Sequence, residues 1–199
     1  MRRAGLPARE DPNDPDTLDA HPLVREHFGQ QLRERFADAW REGNDRLYEH
    51  YKQAAPEFPD TLEEMAPLFA AVAHGCAAGR HHETLDEVYV RRIQRADDFF
   101  NTRKLGAIGA ELAALSGFFD PPWQRPVAGL TVGAKAYVLN SAGFDLRSLG
   151  RLLEAADSFQ PGLEAWIAQE DWNNAAIVSG NLSQLYLTIG DLAQALEYG

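Results

Sequence analysis

The chain contains a single cysteine, Cys76, so no intrachain disulfide bond can form. The lack of disulfides is typical of proteins from reducing compartments, and the sequence therefore predicts a cytoplasmic location. No apolar run approaches the roughly 20 residues that a transmembrane helix requires. The first residues also lack the apolar segment of a secretory signal. We expect a protein that is not embedded in a membrane.

Basic residues are scarce, with 19 Lys and Arg against 30 Asp and Glu and a formal net charge of -11. The imbalance is greatest in residues 105–199, which carry 4 basic and 10 acidic groups. A nucleic-acid surface needs clustered Lys and Arg to neutralise phosphates, so no nucleic-acid partner is predicted. The acidic groups are interpreted as a solvated surface, with a surface suited to a basic partner as the alternative.

Sequence motifs for catalysis are also missing. The chain has no G-x-S-x-G and no G-x-x-x-x-G-K-[ST] loop, so it cannot bind a nucleoside triphosphate as P-loop proteins do. Cys76 lies among alanines, and apolar surroundings raise the pKa of a thiol and make it unreactive. We therefore predict no enzyme, no cofactor, and no catalytic or metal-binding residue.

The segment "HGCAAGRHH" places His74, Cys76, His81 and His82 within nine residues, and these are side chains that bind zinc. Their spacing is neither C-x2-C nor H-E-x-x-H, and the segment crosses a predicted junction of helix and turn. We expect a half-buried His74, a Cys76 in the core and two solvated turn histidines. A metal-dependent enzyme that uses this cluster is the alternative hypothesis.

Apolar residues recur at helical spacing through most of the chain, and this periodicity predicts an all-α fold. Residues 1–20 hold three prolines and five acidic groups, which is typical of a disordered or loosely packed lead-in. A helical segment is predicted over residues 21–60, with a helix that starts at Pro22. Helical hairpins are predicted over residues 61–199.

Two local patterns allow finer predictions in the region before the hairpins. A helix is predicted from about Asn44 to Ala54, with Leu47 and Tyr48 facing inward. The next helix is predicted to start in "DTLEE", with Asp60 as its N-cap and an acidic residue three positions later.

Two C-terminal stretches share one pattern at a constant spacing along the chain. The matched pairs are Leu146 and Tyr186, Gly150 and Gly190, and Ala155 and Ala195. A glycine ends a helix readily in the left-handed conformation, and an alanine five residues later allows two helices to approach closely. The pattern predicts antiparallel helix pairs, 134–149 with 151–166 and 173–189 with 191–199.

This arrangement resembles the tetratricopeptide repeat, in which a Leu, a small residue, an aromatic, a Gly, an Ala and an aromatic recur. The second copy matches with Leu182, Ser183, Tyr186, Gly190 and Ala195. The first copy matches with Ala142, Gly143, Leu146, Gly150, Ala155 and Phe159. The first copy departs from the pattern by replacing the Leu with Ala142 and the first aromatic with Leu146, and the spacing between the copies is longer than the usual period of the family. The extra residues are predicted in longer helices or a longer turn.

An earlier segment has the same outline: Gly79 ends a helix, Thr84 takes the alanine position, and Tyr89 lies one beyond the aromatic position. The resemblance covers residues 61–199, with the last repeat incomplete. It implies a superhelix of stacked hairpins that binds a protein or peptide partner on its concave face. The residues expected on that face are Asn140, Phe144 and Arg147 in one copy and Asn174, Ser179 and Gln184 in the next.

The end of the last repeat is expected to lack a neighbouring hairpin, leaving Leu185, Leu192 and Leu196 uncovered. We therefore expect either a longer array or self-association through this end. A self-assembling scaffold is the corresponding alternative function.

The segment "LDAHPLVREHF", Leu18 to Phe28, resembles the end of the winged-helix portion of bacterial NACHT or NB-ARC ATPases of the STAND class of signal-transducing ATPases. In that class such a segment leads into a helical repeat array that senses a ligand or partner. The resemblance implies a sensor segment in signal transduction. This chain departs from the class in having no P-loop of its own.

Overall fold

The computed structural model describes residues 9–11, 14–19 and 22–199 of the chain. Its contacts divide it into two compact units, Met1–Gly43 and Asn44–Gly199. The division falls inside a helix, and the predicted assignment of residues 21–60 to one segment stays a prediction. None of the helices in the described ranges is long and apolar enough to cross a membrane.

The first unit contains two short strands, β1 (Arg9–Asp11) and β2 (Asp14–Asp19), which pair in antiparallel register. Helix α1 (Pro22–Arg35) begins at Pro22, as predicted. A proline suits the first helical position because its missing N–H would have no partner there. The predicted lead-in over residues 1–20 did not include this pairing of strands. Residues 1–8, 12, 13 and 20 lie outside the described residues, so the loose packing of this segment stays a prediction.

The second unit is all-α, as predicted, and it starts within α2 (Ala37–Ala54). Helix α3 is followed by α4, which begins with one α-helical turn and continues as a π-helix. The bounds are α3 (Leu62–Ala77), α4 (His81–Glu83, continuing as Thr84–Gln94), α5 (Phe100–Arg103), α6 (Ile108–Leu115), α7 (Val132–Ser148), α8 (Leu152–Ala168), α9 (Trp172–Ile189) and α10 (Leu192–Tyr198). Short 3-10 turns occur at Ala96–Asp98 and Ser116–Phe118.

Helix α2 differs from its prediction in length and in the side chains that it buries. It begins at Ala37 rather than near Asn44, because helical spacing continues upstream of that asparagine. Tyr48 is fully buried, as predicted, whereas Leu47 is exposed and its predicted inward direction is wrong. Adjacent residues on a helix point about 100° apart, so only one of this pair faces the core.

The start of α3 has the predicted capping box, displaced by one residue. Thr61 is the N-cap rather than Asp60, and its hydroxyl accepts a hydrogen bond from the backbone N–H of Glu64 at 3.2 Å. The carboxylate of Glu64 accepts from the backbone N–H of Asp60 at 2.9 Å. The first of these bonds satisfies a backbone donor that the first helical turn leaves without a partner, and the second satisfies the N–H of the residue before the N-cap.

Three glycines end helices with one shared geometry. Gly79, Gly150 and Gly190 have φ angles of 84°, 77° and 90°, in the left-handed region. Each glycine N–H donates to the carbonyl three residues before it, and the next N–H donates to the carbonyl five residues before itself, at 2.9 Å in all three turns. This is the Schellman motif. The predicted likeness of the two C-terminal turns is confirmed, and the turn at Gly79 has the same geometry.

The long spacing between the two C-terminal copies arises from the lengths of the helices. Helices α7 and α8 have 17 residues each, and three residues connect α7 to α8 and α8 to α9. The residues beyond the usual period of the family therefore lengthen the helices rather than the turns. Helices α7 and α8 also pack closely together. A Cβ atom at Gly143 on α7 would lie 2.6 Å from the Phe159 ring on α8.

The π-helix in α4 explains why Tyr89 falls one residue beyond the aromatic position of the repeat. In the later copy Phe159 follows the buried Ala155 by four residues, whereas Tyr89 follows the buried Thr84 by five. Hydrogen bonds from i to i+5 in a π-helix accommodate one additional residue per turn. Tyr89 is thereby fully buried despite its shifted position.

The turn geometry is testable at Gly150. Gly150→Ala should lower the free energy of unfolding by about 1–2 kcal/mol, because alanine must then adopt a left-handed conformation. The matched control is Gly180→Ala within α9, where no atom lies within 4 Å of the added Cβ. That control should raise the free energy of unfolding by about 0.5–1 kcal/mol, because alanine favours a helix interior. Denaturant titration followed by circular dichroism measures both, and equal effects would contradict the assigned geometry.

Candidate functional site

A cavity of about 320 Å³ lies against the first helices of the two C-terminal hairpins. Helix α7 contributes Asn140, Ser141, Phe144 and Asp145, and α9 contributes Ile177 and Asn181. The remaining wall comes from the region before α7, with Gln94, Phe99, Thr102, Arg103 and Glu111. The volume is at the small end of the range for ligand pockets, so it suits a side chain or a small molecule.

Two of the six residues expected on the concave face line this cavity, namely Asn140 and Phe144. Arg147 and Gln184 lie beside them and connect the two hairpins, since Arg147 Nη1 donates to Gln184 Oε1 at 3.0 Å. Arg147 also lies over the Phe144 ring, 5.5 Å from its centroid.

The expectation was wrong for Ser179, which lies toward α10, whereas for Asn174 it stays a prediction. The side-chain amide of Asn174 donates to Asp171 at the start of α9. The hydroxyl of Ser179 donates to the Tyr198 carbonyl on α10 at 2.6 Å. Ile177 and Asn181 are the residues of α9 that line the cavity, and Ser179 lies on the opposite side of the helix because it is two positions before Asn181.

Two buried acidic residues, Glu111 and Asp145, line the cavity, and we call them its floor. Glu111 is only 2% exposed. Its carboxylate accepts hydrogen bonds from the Tyr89 hydroxyl and the Asn101 side-chain amide, each at 2.8 Å, and from the amide of Gln94. All three partners are donors, so they favour the ionised form of Glu111 more than apolar surroundings would. Burial nevertheless raises the pKa of Glu111 above its ordinary value.

Asp145 is the other residue of the floor and is 1% exposed. Neither of its carboxylate oxygens has a hydrogen-bond partner in the described part of the chain. Burial, and secondarily the nearby charge of Glu111, raises the pKa of Asp145 to about 8. Because donors surround Glu111 and none reaches Asp145, we assign the negative charge to Glu111 and a proton to Asp145 at neutral pH.

Sequence reasoning did not find this floor, although the residues carry a recognisable signal. Glu111 is the single charged residue of α6. Asp145 lies between two other buried positions of α7, Ala142 and Leu146. A carboxylate at a core position of an amphipathic helix is rare enough to mark a candidate site.

The four residues of the proposed metal cluster have separate environments. His74 Nδ1 donates a hydrogen bond to the Asn44 side-chain oxygen at 2.8 Å, and burial lowers the pKa of His74. Cys76 is buried and burial raises its pKa to about 12, as the apolar setting predicted. His82 lies 3.0 Å from Asp86 across one helical turn. No group of three or more His, Cys, Asp or Glu side chains suited to a metal occurs among the described residues.

His81 differs from its prediction as a solvated turn residue. It is the first residue of α4 and is partly buried rather than fully exposed. Burial accordingly lowers its pKa.

Hairpins that share one turn geometry, and a cavity on the first helix of each, define an all-α helical-repeat protein. The family model of the tetratricopeptide repeat matches residues 134–199, which are the two C-terminal hairpins. No curated protein and no solved structure gives a significant match to the chain. The match and the helical architecture confirm the predicted array of hairpins stacked as in the tetratricopeptide repeat.

The protonation of Asp145 predicts how stability depends on pH. A folded-state pKa near 8, above the unfolded value, means that the folded state holds a proton that the unfolded state releases. Relative to Asp145→Asn, wild type should lose up to about 1.4 kcal/mol of unfolding free energy per pH unit as pH rises from 4 to 8. Denaturant titrations at several pH values measure this difference.

The matched control for this prediction is Asp157→Asn, which makes the same change of charge at an exposed position of α8. Its pH profile should run parallel to that of wild type. A parallel profile for Asp145→Asn as well would show that Asp145 does not hold a proton in the folded state.

Proposed function

We propose that this protein is a non-catalytic interaction module that binds a peptide segment of a partner protein on the face formed by α7 and α9. Tetratricopeptide repeats generally mediate contacts between proteins, which supports a binding role for residues 134–199. The observation that carries the proposal is the cavity on this face, because it is built from the first helices of successive hairpins. Such helices line the concave surface of stacked repeats.

The chemistry of the cavity suits a peptide. Phe144 and Ile177 are both exposed apolar side chains on its walls, and they can cover the alkyl part of a bound residue. Asn140 and Asn181 line the same cavity, and Asn181 Nδ2 donates to Asn140 Oδ1 at 3.4 Å. An amide carries both donors and an acceptor, which fits the alternating groups of a peptide backbone.

Bonds between the hairpins hold this face in one shape. Arg147 Nη1 donates to the carbonyl of Asn181 at 3.3 Å as well as to the side chain of Gln184. Between α8 and α9, Gln160 Nε2 donates to the Tyr186 hydroxyl at 2.9 Å. A binding face that is already ordered loses less conformational entropy when a partner binds.

A finer proposal is that the module is the sensor segment of a STAND-type signalling ATPase and acts in the cytoplasm. It is supported by the order of elements in the sequence, in which the segment from Leu18 to Phe28 precedes the repeats. Because this chain has no P-loop, the ATPase would be encoded upstream. Sequencing the genomic region before the codon for Met1 tests this role. A coding region with a P-loop is expected there, and its absence would overturn the sensor assignment.

Self-association is a second candidate, favoured by the surface of α10. Leu196 is 83% exposed and Leu192 is also exposed, as predicted, whereas Leu185 is fully buried and its predicted exposure is wrong. Leu185 belongs to the buried core, whereas the α9 residues in contact with α10 include Ser179, Ser183 and Tyr186. Sedimentation velocity of wild type and Leu196→Lys tests this candidate. A dimer that Leu196→Lys dissociates is expected, and a monomer at high micromolar concentration would contradict it.

Phe144 gives the sharpest test of peptide binding. Peptides selected from a displayed library against the full chain should bind Phe144→Ala about tenfold or more weakly, because a central aromatic contributes much of the energy of an interface. The matched control is Leu153→Ala, which truncates an exposed apolar residue on α8 away from the cavity. Affinities are measured by fluorescence anisotropy. Selected peptides that lose affinity for the control but not for Phe144→Ala would place the binding face elsewhere.

A further inference from the structure

One of the two buried carboxyl groups in the floor of the cavity has no hydrogen-bond partner among the residues that the structure describes. Glu111 has three donors, but the adjacent Asp145 has no partner for either carboxylate oxygen although it is almost fully buried. Buried polar groups in folded proteins nearly always have partners, so an exception needs an explanation. Asp145 is one of the residues that line the cavity.

We propose that this cavity receives a basic side chain of the peptide partner, with its cationic head at Asp145 and its alkyl stem between Phe144 and Ile177. The proposal rests on the proposed function, since it specifies which group of the peptide is recognised. An ammonium or guanidinium group carries only donors, and the unpartnered oxygens of Asp145 are acceptors once ionised. A charged hydrogen bond of this kind is about twice as strong as a neutral one.

Other ligand classes fit this floor less well. An anion would be repelled by the buried negative charge of Glu111. A metal ion would find two carboxylates, but the described residues contain no group of three His, Cys, Asp or Glu side chains suited to hold it. An uncharged apolar group would leave Asp145 without a partner.

The charge of the surroundings also favours a basic partner. Residues 105–199 carry 10 acidic and 4 basic groups, so the array attracts cations over a distance. Arg103 lines the same cavity, but it is exposed and its guanidinium lies 4.7 Å from the Phe99 ring centroid. Solvent and salt screen an exposed charge far more than a buried one. The buried floor therefore determines the charge that the cavity prefers.

Proton release should accompany binding. In the empty cavity Asp145 holds a proton near neutral pH, and a bound cation favours its ionised form. Asp145 interacts electrostatically with Glu111 on α6 and Tyr89 on α4, Tyr137 on α7 interacts with the same tyrosine, and Arg103 on α5 lines the cavity. The cavity residues of α9, Ile177 and Asn181, carry no ionisable group. Affinity for a cation should therefore rise with pH up to about 8 and then level.

Three small probes test the assignment on the full chain. N-acetyl-lysine methylamide and N-acetyl-arginine methylamide carry the two basic heads, and N-acetyl-norleucine methylamide carries the alkyl stem without charge. Binding is followed by NMR shifts of the backbone amides of Phe144 and Asp145. At pH 8 at least one basic probe should bind, about tenfold or more tightly than the norleucine probe. The same probe should bind about tenfold more weakly to Asp145→Asn and more weakly to wild type at pH 6.

The matched control is Asp157→Asn, which changes the net charge equally and should bind the basic probe as wild type does. Equal binding to Asp145→Asn and wild type would overturn the assignment. So would the absence of shifts from both basic probes at millimolar concentration, or norleucine binding that equals theirs. A proton release measured by calorimetry in two buffers gives a readout that does not depend on the variants.

The experiments distinguish a failure of the basic side-chain assignment from a failure of the proposed peptide binding. Selected peptides that require Phe144, contain no basic residue and bind Asp145→Asn normally would uphold the interaction module and overturn the basic side chain. A library that yields no Phe144-dependent peptide would overturn the proposed peptide partner. The probes would then decide the chemistry of the cavity by themselves.

Discussion

Close packing of paired helices depends on one small residue, Gly143. Any side chain there would overlap the ring of Phe159, since even a Cβ would approach it to 2.6 Å. This contact sets how near α7 and α8 lie, and the Schellman turn at Gly150 sets how the chain passes from one to the other. The next pair repeats the turn at Gly190, and α7 and α9 then lie side by side as the walls of one cavity. The cavity is thus a consequence of how each hairpin closes.

The same architecture accounts for the unusual floor of the cavity. Stacked helices exclude water from positions on their facing sides, and Asp145 occupies such a position on α7. A hydrophobic residue there would stabilise the fold more, because an unpartnered carboxyl group is costly to bury. A group that weakens the fold is more often retained for binding than for stability. The acidic floor and the excess of acidic groups around it both favour a partner that brings positive charge.

Much of the array could be predicted from local patterns. Gly150 and Gly190 ended helices where their spacing placed them, because a left-handed turn needs a residue without a Cβ. Asn140 and Phe144 were placed on the binding face from the period of one helix. The expected position of Ser179 was wrong, because each residue along a helix turns the side-chain direction by about 100°. An error of one or two residues therefore points the side chain toward a different helix, here α10. The cap at Thr61 was missed by one residue, since Asp60 and Thr61 have similar capping chemistry.

The sequence by itself determined the all-α class, the hairpin turns and the period of the array, because these depend on backbone conformation and on residues close in the chain. Tertiary structure alone decided the cavity, because its walls come from segments that lie far apart in the chain, from Gln94 to Asn181. It also decided the unequal environments of Glu111 and Asp145. Their charge states depend on which donors from other helices reach each carboxyl group, and distance along the chain carries no information about that.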